Sequence, residues 1–197
     1  MLKPLRFMRI LVACEYSGIV RDAFIRQGHD AWSCDILPTE VPGPHYICPV
    51  ENILDKDWDL MIAHPPCTHL AVSGARYFAQ KQVQQAAALD FVRLLLNAPI
   101  PKIALENPVS IISSKIRKPD QIIQPYQFGH PEAKTTCLWL KELPKLIYTN
   151  VLQKPSSGRW DNQTPSGQNK LGPSPDRWKE RSRTYTGIAD AMSVQWG

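Results

Sequence analysis

Short apolar segments with strand character alternate with amphipathic helical segments along most of this chain. The predicted strands cover residues 8–14, 29–37, 58–64, 102–107 and 136–146. Each of the two predicted internal helices has one apolar stripe, formed by Ile19, Ala23, Phe24 and Ile25 before Gly28, and by Val83, Ala87, Phe91, Leu94 and Leu95 within residues 80–97. A short helix over residues 187–196 closes the chain. This alternation predicts an α/β fold with a doubly wound, mainly parallel sheet.

The size and composition of the chain fit one globular core with one irregular segment. Its 197 residues, 43% of them hydrophobic, are enough to bury a core. We expect the core in residues 1–146, a basic loop rich in Pro, Ser, Gly, Asn and Gln in 147–184, and a helix returning to the core in 185–197. Because no apolar run reaches the roughly 18 residues of a membrane span, and the N-terminal stretch lacks a signal-peptide cleavage site, we expect a cytoplasmic protein without a membrane partner.

The cysteines indicate no covalent or metal framework. The five, Cys14, Cys34, Cys48, Cys67 and Cys137, are odd in number and widely spaced, and they form no CxxC pair. This pattern favours neither a set of disulfides nor a metal site.

Four polar or reactive motifs follow the predicted strands. EYSG (15–18) comes after the first strand and Asp35 at the end of the second, while HPPC (64–67) and ENP (106–108) come at the ends of later strands. Ligands of parallel sheets bind at the carboxyl ends of the strands, so the four motifs predict a single functional cleft.

Cys67 is the first candidate for chemistry in this cleft. The two prolines before it hold the backbone extended, so the thiol is presented from a stiff loop. A thiol reacts as its thiolate, and His64, His69 and Lys134 are candidates for the positive charge that stabilises this form. The alternative is that Cys67 packs in the core, as most buried cysteines do.

Glu106 is the second candidate, because an acid between a buried strand and a proline is poorly placed for the core. The alternative role is that of a cap on a helix or turn. A thiol and a carboxylic acid that face one cleft can add sulfur to an electron-poor ring and protonate its nitrogen, which suits a pyrimidine.

The motifs resemble those of the DNA cytosine carbon-5 methyltransferases, in a small, phage-type form. PCTHLAVSG (66–74) is similar to the catalytic PCQxFSxxG loop, with Cys67 and Gly74 in register, and LENP matches the ENV motif at Glu106 and Asn107. ACEYSG (13–18) stands in the place of the glycine-rich FAGxGG cofactor loop.

Two later segments extend the resemblance. FGHPEAKTTCLWL (128–140) resembles the YGxPQxRxR segment, with Lys134 at an arginine position, and YTGIADAM (185–192) resembles the closing GNS motif at Gly187. The resemblance implies a Rossmann-like α/β fold of the class I methyltransferase type.

The resemblance also implies a reaction and its residues. Cys67 would attack carbon 6 of a cytosine, Glu106 would protonate nitrogen 3, and Lys134 would contact the base or its phosphate. S-adenosyl-L-methionine would be the methyl donor, held by Glu15, Tyr16, Ser17, Gly18, Asp35, Ile36 and Pro66. The substrate would be DNA, with the cytosine single-stranded or flipped out of a duplex. A phage or prophage origin and protection from restriction would fit such an activity.

The basic loop takes the place of a target-recognition domain. Residues 151–184 contain seven Lys or Arg and three acidic residues, in a chain whose net charge is +5. The predicted DNA-binding residues are Arg159, Trp160, Arg177, Trp178, Lys179, Arg181 and Arg183. Basic and aromatic side chains of this kind position DNA without reading much sequence, so we expect low specificity or a helper protein. The alternative is a solvated surface loop.

Other functions remain open at this point. HPPC is also similar to the (D/N)PPY motif of methyltransferases that act on exocyclic amino groups. The altered glycine loop is compatible with a pyrimidine carbon-5 enzyme that uses another one-carbon donor, or with an inactive methyltransferase-like module that binds DNA or protein. Action on a free nucleotide is a further alternative.

Overall fold

The computed structural model describes residues 7–73, 80–166 and 169–197. Seven strands form one sheet in the order β3-β2-β1-β4-β5-β7-β6. Their bounds are β1 Arg9–Ala13, β2 Asp30–Asp35, β3 His45–Ile47, β4 Leu60–Ala63, β5 Lys102–Pro108, β6 Gln121–Ile123 and β7 Thr136–Lys141. Strands β3, β2, β1, β4 and β5 are parallel, and β7 runs antiparallel to both β5 and β6. The predicted mainly parallel sheet is therefore confirmed.

Helices cover both faces of this sheet, as the doubly wound prediction requires. Their bounds are α1 Ile19–Arg26, α2 Gln82–Leu96, α3 Ile112–Lys115, α4 Arg177–Ser182 and α5 Thr186–Trp196. One buried cluster joins α1 and α5 to one face of the sheet, and a second joins α2 and α3 to the other. Burial of apolar side chains on both faces stabilises the central strands, whose side chains are almost all inaccessible.

The register of the central strands determines which residues meet at the carboxyl edge. Ala63 of β4 lies opposite Leu105 of β5, and Ala13 of β1 lies opposite both Ala63 and Cys34. His64 directly follows Ala63, and Glu106 directly follows Leu105, so these two side chains become neighbours. All four predicted motifs lie at this edge, at the ends of adjacent strands.

The predicted helical stripes are wrong in part. In α1 the buried side chains are Val20, Arg21, Ala23 and Phe24, and Ile25 is exposed. In α2 the buried face is formed by Leu89, Val92 and Leu95, whereas Val83 and Leu94 are exposed. The sequence of α2 has apolar residues on two sides of the helix. The side that is buried is the one that faces the sheet and α3.

Helix α3 and three other short elements were not predicted from the sequence. Strands β3 and β6 have three residues each, too short for a hydrophobic alternation to reveal them. The predicted loop of residues 147–184 contains helix α4 near its end, where Asp176 pairs with Lys179 one turn later. Among the residues that the structure describes, no helix is long and apolar enough to cross a membrane.

Arg21 is a buried arginine that fastens the loop after β2 to helix α1. Its guanidinium group donates to the hydroxyls of Ser33 and Thr39, each at 3.2 Å, and to the carbonyls of Val41 and Pro42 at 3.4 and 3.2 Å. Its side chain is fully inaccessible. A buried charge is stable only when it is well paired, so this loop and helix stabilise each other.

We expect Arg21→Met to lower the free energy of unfolding by about 3 kcal/mol, because it leaves the acceptors around the guanidinium unpaired. Arg26→Met is the matched control, because Arg26 forms an exposed ion pair with Asp190 at 2.7 Å and pairs of this kind contribute about 1 kcal/mol or less. Urea denaturation measures both, and equal losses in the two variants would contradict the structural role of Arg21.

Candidate active site

The acid of the site, Glu106, is paired with a histidine. Its Oε2 lies 2.8 Å from Nδ1 of His64, and both side chains are only 12% exposed. Burial raises the pKa of Glu106, but the hydrogen bond and charge of His64 outweigh it and hold that pKa below its usual value. Burial lowers the pKa of His64, and the interaction with Glu106 reverses this effect and raises it. The pair therefore favours an imidazolium beside a carboxylate.

Asn107 fastens the loop that carries the cysteine to strand β5. Its Nδ2 donates to the carbonyl of Pro65 at 2.9 Å, and the residue is buried. Two further backbone bonds join the loop to the segment after β5, from Val72 to Val109 and from Ile111 to Leu70. The loop is thus held on the same strand that positions Glu106.

Cys67 lies at the start of a turn on this loop, where the N–H groups of Leu70 and Ala71 donate to its carbonyl. It is the exposed cysteine among the five. Burial of the thiol within the loop raises the pKa of Cys67, and the charge of Glu106 raises it further. The backbone N–H of Cys67 and the charges of Arg181 and Lys134 lower this pKa and offset part of the rise. Cys67 therefore shares one electrostatic environment with Glu106, Lys134 and Arg181.

A small hollow lies against Glu106. Its lining residues are Glu106, Lys134, Thr136, Thr184, Tyr185 and Ile188. Lys134 Nζ donates to the carbonyl of Arg183 at 3.3 Å and lies 5.7 Å from the ring centre of Tyr185. The C-terminal segment, through Thr184, Tyr185 and Ile188, therefore covers one side of the hollow next to Glu106. The sequence indicated this only through the YTG motif, because Thr184 and Tyr185 form no pattern of their own.

The prediction that His64 assists the thiolate needs correction, and the same prediction for His69 stays a prediction. Both were candidates for assisting the thiolate of Cys67, but His64 pairs with Glu106 and not with the thiol. Nδ1 of His69 is buried and has no hydrogen-bond partner among the described residues. Gly74, which is in register with the glycine of the catalytic loop motif, lies outside the described residues.

Glu15 caps helix α1. Its Oε1 accepts from the N–H of Val20 at 2.8 Å and its Oε2 accepts from the N–H of Arg21 at 3.2 Å. Ser17 also donates to Oε1, at 3.1 Å, and both side chains are buried. A carboxylate at a helix N-terminus satisfies the free N–H groups and the helix dipole. Glu15 thus occupies the anion-binding position that a ligand would otherwise use.

The other predicted cofactor residues differ in what they expose. Gly18 has φ of 75°, a conformation that favours glycine. The carboxylate of Asp35, at the end of β2, accepts from the N–H of Leu37 at 3.0 Å, and the adjacent Ile36 side chain is 72% exposed. Pro66 is exposed beside Cys67. The half-buried Asp35 carboxylate therefore lies next to an exposed apolar side chain at the end of β2.

Helix α4 of the basic loop packs over the predicted cofactor loop of residues 13–18. Tyr16 is buried beneath it, with its hydroxyl 2.9 Å from Oγ of Ser182 and its ring 5.8 Å from that of Trp178. Arg183 Nη2 contacts both carboxylate oxygens of Glu40, at 2.8 and 3.0 Å. These contacts place the basic segment beside the predicted cleft.

The predicted DNA-binding residues do not all lie on an open surface. Trp178, Arg181 and Arg183 are exposed, Lys179 is half-buried, and Arg159 is exposed on the loop before α4. Trp160 is only 6% exposed and stacks on Tyr126 with ring centres 4.6 Å apart, so it packs the loop against the core and offers no face to a base. Arg177 is half-buried, and its Nε has no hydrogen-bond partner among the described residues.

Comparisons with known proteins support the fold. No protein-family model matches the chain, and no curated protein matches it. It is similar to the solved structure of the Entamoeba histolytica methyltransferase EhMeth, with a TM-score of 0.50 and 15% identity over 76% of this chain and 58% of that one. A chain described as a DNA modification methyltransferase encoded within an E. coli prophage gives a TM-score of 0.47 and 17% identity over 68% of this chain and 46% of that one. The chain spans about half the length of these structures, and the likeness to EhMeth is one of fold.

Proposed function

We propose that the chain is a DNA cytosine carbon-5 methyltransferase with Cys67 as its nucleophile. The observation that carries the proposal is that Asn107 of β5 binds the carbonyl of Pro65 at 2.9 Å and so holds the loop with Cys67 against the strand that carries Glu106. The fold likeness to a protein named as a methyltransferase adds support. A module that only binds DNA has no use for a nucleophile and an acid at the ends of adjacent strands.

In the proposed reaction each residue has one task. The Cys67 thiolate forms a bond to carbon 6 of the ring while Glu106 gives a proton to nitrogen 3, so the electron pair of the carbon 5–carbon 6 double bond becomes available at carbon 5. After methylation, loss of the carbon 5 proton to a base expels Cys67 as a thiolate, and nitrogen 3 returns its proton. Lys134 and Arg181 favour the thiolate by their charge.

S-adenosyl-L-methionine would supply an electrophilic methyl group. Asp35 and Ile36 fit its ribose and adenine, and Tyr16 and Gly18 lie on the adjoining loop. The N–H groups of Val20 and Arg21 are occupied by Glu15, so the carboxylate of the donor would need another partner than this helix end. This occupied helix end also favours the second candidate, a pyrimidine carbon-5 enzyme with another one-carbon donor.

Incubation of the protein with DNA and labelled S-adenosyl-L-methionine, followed by mass spectrometry of the nucleosides, tests the proposal. We expect 5-methylcytosine. An N-methylated base would favour amino-group chemistry, a cytosine with another added mass would favour the second donor, and unmodified DNA under all conditions would favour a binding module. Free cytidine nucleotides in place of DNA test the remaining alternative.

The exposed and half-buried basic residues of α4 and its neighbours form the proposed DNA surface. We expect the double variant Lys179→Glu/Arg181→Glu to weaken DNA binding and to lower the slope of log K against log salt by about two, because each lost phosphate contact removes about 0.9. Fluorescence anisotropy at several salt concentrations measures this slope. Lys56→Glu/Lys102→Glu is the control at the opposite edge of the sheet, and an equal effect in both double variants would contradict the assigned surface.

A further inference from the structure

His64 has no task in the reaction described above, although its imidazole lies 2.8 Å from the Glu106 carboxylate. We propose that His64 is a positioning residue that orients the Glu106 carboxyl group and holds the proton that Glu106 delivers to nitrogen 3. The inference rests on the proposed function, since it assumes that Glu106 acts on a ring.

The geometry of the pair supports an orienting role. The β4–β5 register makes His64 and Glu106 neighbours, and the Nδ1–Oε2 distance is 2.8 Å. Within the described residues, His64 is the hydrogen-bond partner of this carboxylate, and it uses Oε2. Oε1 is therefore left for the substrate ring, in an orientation fixed by the imidazole and by the packed strand.

The proton balance of the pair supports its second role. An imidazolium with a carboxylate contains one proton more than a neutral imidazole with a carboxylate. When the thiolate adds to carbon 6, the Nδ1 proton passes to the carboxyl group of Glu106, and the carboxyl group gives a proton to nitrogen 3. His64 becomes neutral and Glu106 remains ionised. Expulsion of the thiolate returns the proton from nitrogen 3 to the pair, so no other proton donor is required.

Two charged side chains from other segments act on the pair. Glu15 of the loop after β1 raises the pKa of His64, and Lys134 before β7 lowers it. Lys134 also lowers the pKa of Glu106, and the neighbouring thiol of Cys67 is influenced by Arg181 of α4. Burial alone would raise the pKa of Glu106 and the interaction with His64 lowers it, so within the pair the carboxyl group is ionised and the proton lies on the imidazole. The imidazole is what keeps a proton available there.

The test is the variant His64→Asn, because the Asn side-chain amide takes the position of Nδ1 but has no proton that titrates. The rate of covalent capture of DNA with 5-fluorocytosine is measured from pH 5 to pH 9 in the wild type and in His64→Asn, with His45→Asn as the control. We expect the variant to lose about 10²-fold at pH 7.5 and much less at pH 5, because proton donation by a placed acid is worth about this much.

An unchanged rate and pH profile in His64→Asn would overturn the inference, and so would a loss of equal size at every pH. If the variant does not fold, ¹⁵N NMR of the wild-type imidazole at pH 7 replaces it, with protonation of both ring nitrogens as the expected result and a neutral ring as the contrary one. Failure of the proposed function is distinguishable, because the wild type itself would then form no adduct.

Discussion

Replacing Cys67 with alanine is expected to abolish covalent capture of DNA that contains 5-fluorocytosine. The fluorine blocks removal of the group at carbon 5, so an enzyme whose sulfur has bonded to carbon 6 stays attached to the DNA. Without the sulfur no bond can form, and the expected loss is complete. Denaturing gel electrophoresis after incubation with S-adenosyl-L-methionine measures the adduct.

The matched control is Cys48→Ala, which removes another partly exposed thiol, 4.0 Å from Cys34 and away from Glu106. This control is expected to form the adduct. An adduct of normal yield with Cys67→Ala would show that another residue is the nucleophile, and its loss with Cys48→Ala alone would point to a thiol at the β2–β3 edge.

Glu106→Gln is expected to reduce the rate of methyl transfer by about 10²- to 10⁴-fold, the usual contribution of a placed general acid. The amide keeps the shape of the side chain but cannot give a proton to nitrogen 3. DNA affinity is expected to stay within a few-fold of the wild type, because the Glu106 side chain is only 12% exposed and Gln keeps its shape. Single-turnover rates and anisotropy measure the two quantities separately.

Glu142→Gln is the control for this prediction, since Glu142 is exposed and follows the antiparallel strand β7 at the opposite edge. A rate for Glu106→Gln equal to that of this control would remove Glu106 from the chemistry. A parallel loss of rate and DNA affinity would instead indicate that Glu106 supports the structure of the DNA-binding face.

The alternation of strands and helices was sufficient to predict the sheet, because a parallel sheet buried on both faces needs continuous apolar strands. β1, β4 and β5 have such sequences, and each forms as expected. The helix faces were less predictable. Helix α2 has apolar residues on more than one side, and only the tertiary contacts select the Leu89, Val92 and Leu95 face.

The sequence was also sufficient to predict that the motifs lie at one edge of the sheet, but not which side chains form hydrogen bonds with each other there. The pairing of His64 with Glu106 depends on the β4–β5 register, which no local pattern encodes. Likewise, the position of Glu15 in the motif predicts a cofactor residue, and only the fold shows that its carboxylate caps α1. Contacts between distant segments, such as Tyr16 with Trp178, have no signature in the sequence.

Peptide mapping of the trapped complex tests the central claim most directly. The protein is captured on DNA with a single 5-fluorocytosine, digested, and analysed by tandem mass spectrometry to locate the residue that carries the nucleotide. The account predicts that the modified pyrimidine is attached to Cys67 Sγ. A nucleotide attached to any other residue, or methylation of cytosine carbon 5 that proceeds without an adduct, would contradict it.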